Sequence, residues 1–455
     1  MLHSLNPATG QSICDYPVMT DAEVNALLDR SLAAQRAWSA LDAAARAARV
    51  GALAPALRAQ AEPLARMMAA EMGKPLPQGR AEVEKSATAC EWYAANGARL
   101  LAPQPVKTEA ANSYVAARPL GIVLAIMPWN FPVWQAVRAL APALAAGNGM
   151  VLKHAGSVTG CALLLEEIGR AAGLPDGLFG VVRLPGAQAG ALIDDARIAA
   201  VTMTGSTPAG REVGARAGRA LKKCVLELGG SDPFVVLADA DLELAAAQAS
   251  ASRCNNSGQS CIAAKRFIVE KPVVAAFTAK LRDKLAALTW GDPLAGAFDL
   301  GPLARTDLRD ELHAQVSRST AAGAKLELGG SVPFGAGAFY PPTLLTGVTP
   351  GMAAFDEELF GPVAAVIEAK DEADAIRIAN DSPFGLGSGV LTGDPGRGER
   401  IATDELAAGM SFVNANVRSD SRLPFGGVKH SGYGRECADF GIHEFVNIKT
   451  VLVGG

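Results

Sequence analysis

Glu227-Leu228-Gly229-Gly230 and Gly258-Gln259-Ser260-Cys261 set a carboxylate and a thiol 34 residues apart. A cysteine thiolate can take up an acyl group covalently, and a carboxylate base can activate the water that releases it. Most free cysteines are small buried hydrophobes. The run Asn255-Asn256-Ser257-Gly258-Gln259-Ser260 is instead polar loop sequence, in which a thiol is reachable and backbone N–H groups can face it. Cys14, Cys90, Cys161, Cys224 and Cys437 lack such surroundings and read as structural; Cys254 is close in sequence but has no evident chemical use. Glu227 closes the apolar run Val225-Leu226, so it should end a strand in surroundings that raise a carboxyl pKa, as suits a general base. The competing reading, a solvated charge at a strand end, would be preferred if Cys261 were absent.

The elements that must position these groups are legible in outline. Residues 20 to 100 read as helices: Thr20-Asp21-Ala22-Glu23 is a capping box, and Gly73 stops the helix through Met67 and Met72. From Gly121 onward short apolar runs, 121 to 127, 150 to 153, 180 to 184, 199 to 204 and 224 to 228, alternate with helix-like stretches. Strand followed by helix, repeated, predicts a parallel α/β sheet. Ligands of such sheets sit beyond the carboxyl ends of the strands, where Pro128-Trp129-Asn130, Lys153 and Gly205-Ser206 would fall. A second alternation begins near Pro233 and contains Cys261, which makes Gly229-Gly230 a hinge between a Rossmann-like cofactor domain and an α/β catalytic domain.

A chain of 455 residues exceeds the roughly 250 to 300 at which one core stops growing, so more than one lobe is expected. It is 49% apolar and 19% charged with net charge −4, which gives no bias toward polyanions or anionic membranes and makes nucleic acid an unexpected partner. The start, Met1 to Pro7, lacks a basic segment followed by an apolar one, and a cytoplasmic location is expected. Seven cysteines at irregular spacing form no disulfide framework, and with five histidines they show no zinc-ligand spacing, so no metal is expected.

Six motifs carry a resemblance: Pro128-Trp129-Asn130-Phe131-Pro132, Thr204-Gly205-Ser206-Thr207, Glu227 to Gly230, Gly258 to Cys261, Glu358-Leu359-Phe360-Gly361-Pro362 and Pro424-Phe425-Gly426-Gly427-Val428-Lys429. In this order and over nearly the whole chain, the sequence resembles the aldehyde dehydrogenase superfamily. The resemblance implies NAD- or NADP-dependent oxidation of an aldehyde to an acid. Cys261 would attack the aldehyde, Asn130 and the Cys261 N–H would hold the oxyanion, and Glu227 would activate water against the thioester. It also implies cofactor contacts from Trp129, Lys153, Gly205, Ser206, Gly210, Leu228, Glu358 and Phe360. Gly205 to Gly210 is not a Gly-x-Gly-x-x-Gly fingerprint.

Three positions after Lys153, where many relatives carry a glutamate that repels a 2′-phosphate, this chain has Gly156, so either cofactor is admitted. The run Val151 to Ala155 is similar to a succinate-semialdehyde dehydrogenase subgroup, which favours NAD. In that subgroup an arginine at the place of Arg138 takes the substrate's distal carboxylate, with Ser419 sharing the duty and Phe425 lining the tunnel. The alternative for Arg138 is an ion pair within the chain. A second arginine of the subgroup is replaced by Asn255, and Arg253 is the nearest substitute.

Expected domain bounds are 1–105 and 120–229 for the dinucleotide-binding domain and 230–432 for the catalytic domain. A small β oligomerisation arm, 106–119 with 433–455, would make a homodimer or homotetramer. A broader-specificity aldehyde dehydrogenase, a cysteine-dependent esterase and a silent binding protein are the competing functions.

Overall fold

A computed structural model describes residues 1–454. The amino-terminal helices form for the expected local reasons. Thr20 Oγ1 accepts the Glu23 N–H at 3.3 Å while Glu23 accepts the Thr20 N–H at 2.7 Å, starting the helix Asp21–Ser39. Gly73, at φ +77°, ends Ala61–Met72 in the left-handed conformation that glycine adopts without a Cβ clash. The long helix Leu76–Leu100 follows and packs on Trp134–Ala145, a helix buried along its whole length.

The five predicted strands, joined at one edge by Gly432–Tyr433, form one sheet of six, in the order Gly432–Tyr433, Lys223–Glu227, Ile198–Thr204, Ile122–Met127, Gly149–His154 and Phe179–Val181. All its pairings are parallel except that of Gly432–Tyr433 at one edge. The third predicted run, 180 to 184, yields the short strand Phe179–Val181, after which Leu184 continues into a loop.

A second sheet has seven strands: Lys325–Leu328, Thr343–Thr346, Val363–Ala369, Ala264–Glu270, Asp232–Val236, Gly387–Leu391 and Met410–Val413. Only Lys325–Leu328, an edge strand, is antiparallel. Gly229-Gly230 lies between the last parallel strand of the first sheet and Asp232–Val236 of the second.

A third, antiparallel sheet joins Val446–Val453, Asn112–Pro119 and Gln104–Pro105. Ile448, Leu452 and Val453 are exposed on its edge strand. Of the rest of the expected arm, Tyr433 belongs to the six-stranded sheet and Ala438–Glu444 is a helix, while its last residue, Gly455, lies outside the described residues. Among the described residues no helix is long and apolar enough to cross a membrane, and no cluster of His, Cys, Asp and Glu could hold a metal.

Candidate active site

Cys261 lies at the end of a loop held by buried polar side chains rather than by regular structure. Asn256, Ser257 and Gly258 take positive φ values of 53°, 55° and 76° in succession, a costly backbone unless its surroundings enforce it. They do. Asn256 Nδ2 donates to the Asn130 carbonyl at 2.7 Å, Ser257 Oγ to the Gly301 carbonyl at 3.0 Å, and Gln259 Oε1 accepts the Ala304 N–H at 2.8 Å. Arg253, fully buried, donates to the Gly258 carbonyl at 2.5 Å, so it braces this loop. A Cβ on Gly258 would stand 2.2 Å from the Gly361 carbonyl carbon, which explains why glycines from two motifs meet here.

Asn130, at 4% exposure, faces the same loop through its Nδ2, 3.1 Å from the Gln259 carbonyl. Its Oδ1 is taken by Gln135 Nε2 at 3.0 Å, so the amide nitrogen is the end turned to the loop that carries Cys261. The second amide hydrogen and the Cys261 N–H, which makes no hydrogen bond among the described residues, are left as donors. The Asn130 carbonyl also accepts from Lys74 Nζ at 2.9 Å. Lys74 forms a buried ion pair with Glu82, and Glu82 Oε1 accepts the N–H groups of Val133 and Trp134 at 2.9 Å each. Glu82 thus caps the helix that begins at Trp134 and, through Lys74, fixes the segment carrying Asn130. Gln135, Lys74 and Glu82 escaped the sequence reading because each is one polar residue on a helix, with partners far along the chain.

A cavity of about 490 Å3 runs past Cys261. Its walls include Trp129, Asn130, Gly205, Ser206, Leu228, Glu358 and Phe360, seven of the predicted site residues. Gly205 and Ser206 precede the helix Thr207–Arg219, and Gly210 on that helix packs so closely on Leu228 that a Cβ there would be 2.4 Å from Leu228 Cδ2. Phe360 stands edge-on to Trp129 at 5.7 Å. Glu358 accepts the Gly230 N–H at 3.0 Å, and a Cβ on Gly229 would lie 2.4 Å from its Oε2. The glycine pair therefore clears space for Glu358. Lys153 is buried at the end of Gly149–His154, outside the cavity wall, and burial alone lowers its pKa.

Burial pushes the Cys261 thiol up to about 12; Lys265 and Arg138 pull it down and Glu358 opposes them. Lys265 Nζ donates to the Cys261 carbonyl at 2.8 Å. Glu227 ends the strand Lys223–Glu227, as predicted, and is 2% exposed. Its carboxylate does not line the cavity. It lies against Gly426, where a Cβ would be 2.6 Å from Oε1, and neither oxygen has a hydrogen-bond partner. Burial first, then the neighbouring Glu436, raises its pKa well above the usual carboxylate range, while Arg138 and Arg435 oppose the rise.

Arg138 pairs with the buried Glu436 at 2.5 Å, donates to Thr204 Oγ1 at 3.2 Å, and lies over the Phe425 ring at 4.5 Å. The carboxylate on its fork thus comes from the chain itself, though from a distant segment rather than its own helix, and its Nε remains without a partner. Ser419 accepts from Lys85 Nζ. Asn255 is exposed and Cys254 is buried.

The model of the aldehyde dehydrogenase family matches residues 1–451. The succinate semialdehyde dehydrogenase (NAD(P)+) Sad of Escherichia coli (strain K12) is 50% identical over 448 residues, 98% of this chain and 97% of that protein. The succinate-semialdehyde dehydrogenase (NADP(+)) of Mycolicibacterium paratuberculosis (strain ATCC BAA-968 / K-10) is 46% identical, covering 99% of this chain and 96% of that one. The crystal structure of succinic semialdehyde dehydrogenase from Streptococcus pyogenes in complex with NADP+ superimposes with a TM-score of 0.97 at 33% identity, over 100% of both chains.

Proposed function

The chain belongs to the aldehyde dehydrogenase family, and we propose that it oxidises succinate semialdehyde to succinate with NADP or NAD. The observation that carries this reading is the Cys261 thiol in the wall of a cavity that also presents Asn130, Gly205, Ser206, Glu358 and Phe360. The residues fit a dinucleotide: glycine and serine at a helix start suit a diphosphate, Glu358 a ribose, and the buried Lys153, which has no carboxylate partner among the described residues, the adenosine side. The bound nicotinamide would accept the hydride released by the substrate carbon. The relatives' names give NAD(P)+ and NADP(+), and neither names NAD alone.

In this mechanism Cys261 attacks the aldehyde carbon, and the Asn130 amide and Cys261 N–H hold the oxyanion. Loss of hydride from that carbon leaves a thioester on Cys261. Glu227, unanchored at both oxygens, turns toward the thioester and takes a proton from water as the water oxygen bonds to the acyl carbon; the C–S bond then breaks, the Cys261 sulfur leaves as thiolate, and the carboxylic acid departs. Arg138, Ser419 and Phe425 form the distal end of the substrate site. An esterase would not need the residues grouped around Glu358 and Gly205.

The six-stranded sheet with its flanking helices is read as the dinucleotide-binding domain, the seven-stranded sheet as the catalytic domain, and the three-stranded sheet as an oligomerisation arm. The exposed Ile448, Leu452 and Val453 support a homo-oligomer. The test is absorbance of the reduced nicotinamide with succinate semialdehyde and each cofactor in turn. Cofactor reduction is expected with the wild type and not with Cys261→Ala; reduction by the alanine variant contradicts the reading.

A further inference from the structure

A cation beside the apolar cluster that contains Cys261 has no carboxylate partner among the described residues. Lys85, on the helix Leu76–Leu100, is half-buried and donates to the Ser419 hydroxyl, a neutral partner. Its ammonium stands 4.3 Å from the centre of the Trp134 ring. Trp134 packs in one cluster with Phe425, Phe131 and Cys261, so the lysine faces the apolar surroundings of the nucleophile.

Every carboxylate around it is committed elsewhere. Glu82, one turn earlier, is paired with Lys74; Asp420 is paired with Arg422; Glu436 is paired with Arg138. Among the described residues Lys85 forms no ion pair. An ammonium has three donors and only Ser419 takes one, and the indole N–H of Trp134 is likewise buried with no partner. Arg138 differs, since its charge already has Glu436 against it. A partly desolvated, uncompensated cation is a binding site for an anion, because the approaching charge regains what burial removed.

We propose that Lys85 determines substrate specificity by pairing with the ω-carboxylate of the aldehyde, while Arg138 shapes the site as half of an internal ion pair. The assignment rests on the reading of the substrate as a short aldehyde with a distal carboxylate. Its chemistry predicts a pH signature. Burial lowers the Lys85 pKa to about 8; the groups facing it are Cys437 and Asp420 on the carboxy-terminal segment, Arg138 on the Trp134–Ala145 helix and Glu82 on its own. The ammonium is present below that value and lost above it, so affinity for the anionic substrate falls as pH rises through about 8.

The test compares kcat and KM for succinate semialdehyde and for butanal in wild type, Lys85→Met and Lys85→Arg. In Lys85→Met the ratio of the two kcat/KM values should fall about 10- to 100-fold through KM. Lys85→Arg should restore most of it and remove the rise of KM near pH 8. A ratio in Lys85→Met equal to that of a wild type that prefers the charged aldehyde overturns the role of Lys85 alone. A wild type with no preference for succinate semialdehyde over butanal overturns the substrate reading and this assignment together.

Discussion

Gln135 donates to the Asn130 side-chain carbonyl at 3.0 Å, and this bond decides that the Asn130 amide nitrogen, not its oxygen, faces the loop that carries Cys261. Asn130→Ala is expected to lower kcat about 100- to 1,000-fold, the usual cost of removing one oxyanion donor. Gln135→Leu removes the orienting bond and should cost about tenfold. Steady-state kinetics with succinate semialdehyde measure both; an equal loss in the two variants would show that Gln135 does more than orient.

The Lys74–Glu82 pair is a buried ion pair that serves two segments, the start of the Trp134–Ala145 helix and the backbone of Asn130. Removing one partner strands the other charge in the interior. Glu82→Ala should destabilise the protein by about 3 to 5 kcal/mol, read as a lower thermal midpoint. The double variant Lys74→Met/Glu82→Leu should recover part of that loss.

Burial holds the Cys261 thiol near 12, so the reactive thiolate is a minor species at neutral pH in the protein alone. Because the pKa is raised, the thiolate fraction grows as pH rises and does not level off until that value is approached. Alkylation of Cys261 by iodoacetamide should therefore accelerate about tenfold per pH unit from 7 to 10. A plateau near pH 8 would show a thiol of ordinary acidity.

Gly156 has only Leu2 near its missing Cβ, at 3.5 Å, so a side chain can be accommodated there. Gly156→Glu should lower kcat/KM for NADP by at least about tenfold, through repulsion of the 2′-phosphate, with a smaller effect for NAD. Equal effects on the two cofactors would remove this position from cofactor choice.

The local parts of this molecule were legible because their causes are local. Thr20 and Glu23 cap each other within one turn, Gly73 ends a helix by its own conformation, and the apolar runs after Gly121 became neighbouring parallel strands. The motifs brought Cys261, Asn130, Gly205, Ser206, Glu358 and Phe360 to one cavity. What stayed hidden depends on pairing across the chain. Arg138 could be a clamp or half of an ion pair until Glu436, from a distant segment, was seen beside it. Lys85 sits in a helix with no pattern to set it apart, and its meaning comes from Ser419 and Trp134. The strand-end position of Glu227 was readable; its turn toward Gly426 was not, since side-chain direction at a strand end is set by what packs there.

The central claim is a thioester on Cys261 that Glu227 helps water to cleave. Glu227→Gln, mixed with succinate semialdehyde and NADP+ and quenched early, should give a burst of reduced cofactor equal to the enzyme present and then almost stop. Mass spectrometry should find one succinyl group on the peptide containing Cys261. Undiminished steady-state turnover in Glu227→Gln, or an acyl group on any other residue, would contradict the account.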